Sequence, residues 1–170
     1  MARGNIIHKL FALGPLILLY YLSISEIDTN LEKLFEVFSL NLQIIIIYFW
    51  IIKRPSLMGP GHIFLAGLIN DVVMGFPLGI SSLSYLAVCF VGNYVRNKSV
   101  NTTIASDWFT FLIALFFANL LFFTLLNNFS EVTISYAKIG YNTFFTLFLF
   151  PVFWLLFHTY QISFIGSQDA

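Results

Sequence analysis

Asp71 is an acid inside an apolar stretch, residues 61–96, with Gly67 before it, Gly75 after it and a Pro77-Leu78-Gly79 break beyond. An ionised group is costly in hydrocarbon, so a carboxylate there is a functional hypothesis from the outset. Two kinds of chemistry are open to it. Proton or substrate coupling would need ionisable partners within the membrane. Alternatively, Asp71 could accept hydrogen bonds from the 75–79 turn or a neighbouring helix and fix the hairpin, since buried polar groups are normally paired. At about 3.6 residues per turn, Phe64, Gly67, Asp71 and Gly75 fall on one stripe of a helix. Gly67 and Gly75 remove side-chain bulk on either side of the acid, so a neighbouring backbone could approach closely.

Other candidates are sparse. His62 follows Gly59-Pro60-Gly61 at a helix start, a place for a solvated or capping residue, and His8 belongs to the N-terminal tail. His158 comes late in the last apolar segment, on the opposite leaflet from Asp71. Three scattered histidines and the single Cys89 do not make a metal site, which needs several converging ligands. One cysteine also excludes an intrachain disulfide, and its apolar setting reads as a small buried hydrophobe. Ser81, Ser82 and Ser84 have no base near them and read as hydrogen-bond donors between helices. Neither G-x-x-x-x-G-K-[ST] nor G-x-G-x-x-G occurs, and there is no G-x-S-x-G. No catalytic constellation, cofactor or metal is expected, and the 21 Phe, 8 Tyr and 3 Trp read mainly as lipid-facing and interfacial packing.

The elements that must position Asp71 follow from composition. Of 170 residues, 59% are hydrophobic and 9% charged, against roughly 25% charged in soluble domains. Too few charges are present to cover a water-soluble surface. The chain reads as one integral membrane domain, residues 1–170, an all-α polytopic bundle of six transmembrane helices. Net charge is zero, so the charge total says nothing about nucleic acid; the composition points to the lipid bilayer as surroundings, and no nucleic-acid partner is expected.

The expected spans are about 10–24, 37–52, 62–74, 80–95, 108–126 and a last one from 134–140 to near 160. The first holds Gly14-Pro15 and is preceded by Arg3 and Lys9. Ser23-Ile24-Ser25 has a faint likeness to a signal-peptidase site, but the spans that follow favour a retained first helix. An acidic linker with Glu26, Asp28, Glu32 and Glu36 leads into an amphipathic helix start, or else forms an external docking surface. Lys53-Arg54-Pro55 closes the second span. Ser106 or Asp107 is the expected N-cap of the fifth. The third is short, about 20 Å at ~1.5 Å per residue.

With a cytoplasmic N-terminus, six of eight Lys and Arg fall inside: Arg3, Lys9, Lys53, Arg54, Arg96 and Lys98. Five of eight acids fall outside. This bias predicts that both termini are cytoplasmic, which places Asp71 toward the external end of its helix.

Phe64, Gly67-Leu68-Ile69-Asn70-Asp71, Gly75, Pro77-Leu78-Gly79 and Leu83 together resemble the signature of the MreD family of rod shape-determining membrane proteins. In that family the pattern reads Phe, Gly-Leu-x-x-Asp, Gly-x-Pro-Leu-Gly, then Leu. Arg54-Pro55 ahead of it fits as well, and Asn70 departs from the usual apolar residue. The match covers about residues 54–96, and the rest agrees in span pattern. The resemblance implies a fold similar to the six-helix substrate-binding subunits of energy-coupling-factor transporters. It also implies a non-enzymatic scaffold in the bacterial inner membrane that maintains rod shape and side-wall peptidoglycan synthesis. Its implied partner is the bitopic protein MreC, with MreB, RodA and a class B penicillin-binding protein linked indirectly. The alternative is a small-molecule binding subunit of a transporter, disfavoured at this stage by few polar residues in the external halves of the spans.

Overall fold

The computed structural model describes residues 13–25, 32–98, 103–129 and 136–165, and the side chains of all of these but 32–41, 136–139 and 164–165. Among the described residues the chain is all helical. Six helices follow in order: α1 Gly14–Ile24, α2 Glu32–Lys53, α3 Pro60–Met74, α4 Ile80–Lys98, α5 Ile104–Phe129 and α6 Tyr136–Tyr160, which runs on into a π-helical turn, Gln161–Ile165. The N-terminal tail and residues 26–31 of the acidic linker fall outside the described residues, whereas Glu32 and Glu36 lie in the opening turns of α2.

Helix α2 is the axis. Its run from Ile44 to Ile52 is buried on every side, as a helix apolar all round must be. Helices α1, α4, α5 and α6 pack against it, and α3 fills the gap between α1 and α4. The ring closes where Gly14 of α1 lies against the phenol of Tyr160. The three helices α2, α5 and α6 meet in an aromatic stack. Phe111 and Phe150 lie face to face at 4.2 Å, and Tyr48 turns its edge to both at 5.2 and 5.9 Å. A buried aromatic stack is thus added to the expected lipid-facing load, which is present on α5 and α6 as exposed Phe109, Phe116, Phe117, Phe144 and Phe148.

Two helical stretches, Ile104–Phe129 and Gly140–Ser163, are long and apolar enough to cross a membrane. The other four fall short for physical reasons. α1 has 11 residues and α3 has 15, against about 20 for a hydrocarbon core of ~30 Å. α2 opens on charged residues, and α4 carries three serines, Asn93 and Arg96.

α6 continues through Pro151. Proline has no N–H, so the carbonyl of Leu147, one turn back, loses its helical donor. The Trp108 indole N–H of α5 donates to that carbonyl at 3.1 Å. A neighbouring helix thereby satisfies the backbone, the condition for proline within an apolar span. The start of α5 differs from expectation. The helix begins at Ile104, and Thr103 caps it, its hydroxyl accepting from the Ser106 N–H at 3.3 Å. Ser106 and Asp107 lie inside the first turn, and Asp107 is occupied elsewhere.

Candidate functional site

Helix α3 ends where it does because Gly75 adopts φ 66°, a left-handed conformation that costs glycine least. The Phe76 N–H then reaches back to the Asp71 carbonyl at 2.9 Å, and the Gly75 N–H to Val72 at 3.4 Å. This is a Schellman termination, with Phe76 in its outer position. Three residues on, Gly79 at φ 102° turns the chain into α4. Gly79 has no side chain with which to cap the new helix, so its free N–H groups need an outside acceptor.

Asp71 is that acceptor. Its carboxylate takes the Gly79 N–H at 2.8 Å and the Ser81 N–H at 2.9 Å, and the residue is 0% exposed. An anion at a helix N-terminus interacts favourably with both the free donors and the helix dipole. One residue therefore ends α3 through its carbonyl and starts α4 through its side chain. Alongside, a Cβ on Gly67 would meet the Ser82 backbone, with its nitrogen 2.6 Å away and its Cα closer still. The two helix backbones touch there, and the Ser82 hydroxyl bridges them by donating to the Phe64 carbonyl at 3.0 Å.

The seven motif residues thus divide. Gly67, Asp71, Gly75 and Gly79 set the hairpin. Gly75 does so through its φ alone: nothing lies within 4 Å of a Cβ placed there, so the close approach expected at this glycine belongs to Gly67 only. Phe64 contributes its carbonyl, while the residue itself is 39% exposed. The Pro77 carbonyl accepts the Ile80 N–H at 3.4 Å. Leu78 is 71% exposed at the tip of the turn. Of the three serines, Ser84 bonds within its own helix, to Ile80 at 3.0 Å, rather than between helices.

The hairpin opens onto a buried polar cluster that sequence reasoning missed. The Gln43 amide donates to the Ser23 hydroxyl at 3.1 Å and lies 3.4 Å from the Asn70 carbonyl oxygen. Asn70 donates to the Ser81 hydroxyl at 3.1 Å, and the Tyr85 hydroxyl donates to Gln43. All five residues are buried. They join α1, α2, α3 and α4 at the Asp71 end, where few polar groups were expected. The available signal was Gln43, a lone amide between Leu42 and four isoleucines.

A second buried acid sits at the opposite end. Asp107, 1% exposed, pairs with Lys53 of α2 at 3.4 Å and accepts the Trp154 indole N–H of α6 at 3.0 Å. The Lys53 ammonium lies 5.5 Å from the Trp154 ring centre, and the other face of Trp154 stacks on His158 at 4.7 Å. His62 is exposed at the start of α3, with the Tyr20 hydroxyl 3.1 Å from its Nδ1. Cys89 is buried, with the Asn93 amide 3.4 Å from its sulfur.

Known protein families, characterised proteins and solved structures offer no match to the chain. The assignment of a function therefore stands on the geometry and on the residues themselves. No group of three or more His, Cys, Asp or Glu that could hold a metal occurs among the described residues. Chemically, the hairpin is a device for holding two helices at a fixed crossing. Its carboxylate faces backbone donors, not a cavity.

Proposed function

We propose that the chain is a six-span scaffold of the bacterial inner membrane, with both termini cytoplasmic. In this reading it is a non-enzymatic MreD-type component of the elongation machinery that holds MreC, and through it MreB, RodA and a class B penicillin-binding protein. The observation that carries the reading is the Asp71 bridge. Gly67, Asp71, Gly75 and Gly79, four of the residues that resemble the MreD signature, end α3, start α4 and bring the two backbones into contact. A motif spent on a rigid corner suits a protein that presents a surface, since a rigid partner loses less freedom on binding. Membrane residence is supported by the inverted distribution of polarity: Gln43, Asn70, Asp71 and Asp107 are buried, while phenylalanines cover the outside of α5 and α6. The four helices too short or too polar to cross alone can do so inside a ring whose partners satisfy them.

The test is co-purification. Tagged wild-type chain, extracted from bacterial membranes, should retain co-expressed full-length MreC, and the Asp71→Ala chain should retain several-fold less. Failure of the well-folded wild-type chain to retain MreC would sink the proposal.

One observation favours a second reading, a small-molecule binding subunit of a transporter. Ser23, Gln43, Asn70, Ser81 and Tyr85 converge from four helices, as the polar groups of a ligand site do. They are engaged with one another, so a ligand would have to displace existing hydrogen bonds. A small-molecule library that raises Tm of the wild-type chain, with the effect lost in Gln43→Leu, would move the assignment to this reading.

A further inference from the structure

We infer that the end of the bundle where α2 and α4 finish binds the phosphate of an anionic phospholipid, with Arg96 as its central ligand. This rests on the membrane residence proposed above, and not on MreC.

Helices α2 and α4 run the same way and touch near their ends: a Cβ on Gly92 would lie 3.0 Å from the Ile51 side chain. Just beyond that contact, α2 delivers Lys53 and Arg54, and α4 delivers Arg96 and Lys98. Among the described side chains, the carboxylate at this end is Asp107, and it is engaged with Lys53 and Trp154. Arg96 and Lys98 of α4, the first half-buried and the second exposed, bring two positive charges to this end.

Arg96 is the informative residue. It continues the inward stripe of α4 formed by Tyr85, Cys89 and Gly92, all buried. Its NH1 is buried and has no hydrogen-bond partner among the described residues. A guanidinium stays charged at every relevant pH, and a buried donor without an acceptor is costly. An acceptor from outside the chain resolves this. A phosphate fits, because its oxygens match the guanidinium fork and its negative charge complements Arg96 and Lys98. A lipid, rather than a free anion, fits the flank. Phe90 and Tyr94 are exposed on α4 one and two turns before Lys98, which places acyl-chain contacts next to the cations, as in basic headgroup pockets between helices.

The experiment uses the full chain in two steps. Flotation with pure phosphatidylcholine vesicles first reads membrane residence, and failure there removes the membrane reading itself. The chain is then reconstituted into phosphatidylcholine nanodiscs containing a minor fraction of phosphatidylglycerol, and the lipids retained after detergent release are counted by native mass spectrometry. Wild-type chain should enrich phosphatidylglycerol over phosphatidylcholine. Arg96→Gln should lower that enrichment about fivefold, the size expected of one juxtamembrane cation. Arg96→Lys should restore part of it. Lys98→Gln, at an exposed position that leaves folding alone, should lower it by a smaller factor. Millimolar inorganic phosphate should not compete. Unchanged enrichment in Lys98→Gln, together with an Arg96→Gln chain that is either unchanged or unfolded, would overturn the inference. Effective competition by inorganic phosphate, or by an acidic peptide, would overturn the lipid as occupant.

Discussion

Asp71 and Asp107 are buried to the same degree at opposite ends of one bundle, yet they are held in different ways. Asp71 faces backbone N–H groups from its own hairpin, eight and ten residues away in sequence. Asp107 faces side chains from two other helices, Lys53 and Trp154, far away in sequence. The first is a local device: the charge is spent on donors that the turn would otherwise leave empty. The second is a tertiary one, tying α2, α5 and α6 together after they have formed. Burial alone therefore says little about what such a carboxylate does. The identity of its partners decides.

The difference can be broken most forcefully at Asp71. Asp71→Ala leaves the buried Ser81 N–H and the half-buried Gly79 N–H without an acceptor, so we expect a total loss of about 2–4 kcal/mol, from roughly 1–3 kcal/mol for the buried donor and less for the other. Thermal unfolding in detergent should show a large drop in Tm, with aggregation on size-exclusion chromatography. No second-site change should rescue it, because the stranded donors belong to the backbone. Recovery of stability by an apolar substitution elsewhere in the hairpin would contradict the local account.

Asp107 should behave in the opposite way. Lys53→Met strands a buried carboxylate, which in a fully buried pair costs about 3–5 kcal/mol. The partial exposure of Lys53, 17%, brings the expected loss toward the lower end. The double variant Lys53→Met/Asp107→Leu should recover most of it, since replacing both partners by apolar groups is often close to neutral. Denaturation of the two single variants and the double one forms a complete cycle. Strictly additive losses would mean that the pair is not a unit, and the contrast with Asp71 would lapse.

These two acids also mark what could be read from the chain. Apolar runs bounded by glycine, proline and charges placed all six helices within a few residues, because each boundary has a local cause, such as Gly75 after α3 or Arg54-Pro55 after α2. Asp71 was legible for the same reason: its partners lie within one hairpin. Asp107 or Ser106 is the cap that residue type alone suggests, since Asp and Ser are common capping residues. Nothing local distinguishes Asp107 from Thr103, the residue that does the capping. Its real partners depend on how α2 and α6 dock. The Gln43 cluster was missed on similar grounds, as each of its hydrogen bonds joins residues that meet only in the folded ring. Gly67 and Gly75 looked equivalent on a helical stripe. Only the helix end, which gives Gly75 its φ, separates close approach from backbone freedom.

That last pair sharpens the comparison at smaller scale. Gly67→Ala forces a Cβ into the Ser82 backbone, which cannot yield as a side-chain tip could. Overpacking of this kind costs about 1–3 kcal/mol. Gly75→Ala meets open space but must hold a left-handed conformation, at roughly 1–2 kcal/mol. The two can be told apart by a second substitution. Gly75→Asn should be milder than Gly75→Ala, because Asn tolerates that conformation, whereas Gly67→Asn should be worse than Gly67→Ala. The same ranking at both positions would mean that one mechanism serves both.

The smallest effect belongs to the helix that neither acid starts. Trp108 donates its indole N–H to the carbonyl that Pro151 leaves open. Trp108→Phe keeps most of the ring and removes the donor, so the Leu147 carbonyl loses its partner at about 1 kcal/mol. Pro151→Ala restores an N–H that can reach the same carbonyl within the helix. In the Pro151→Ala background, Trp108→Phe should therefore cost less than it does alone, because the carbonyl no longer depends on α5. An equal cost in both backgrounds would show that Trp108 acts by packing, and that α6 tolerates its proline without help from its neighbour.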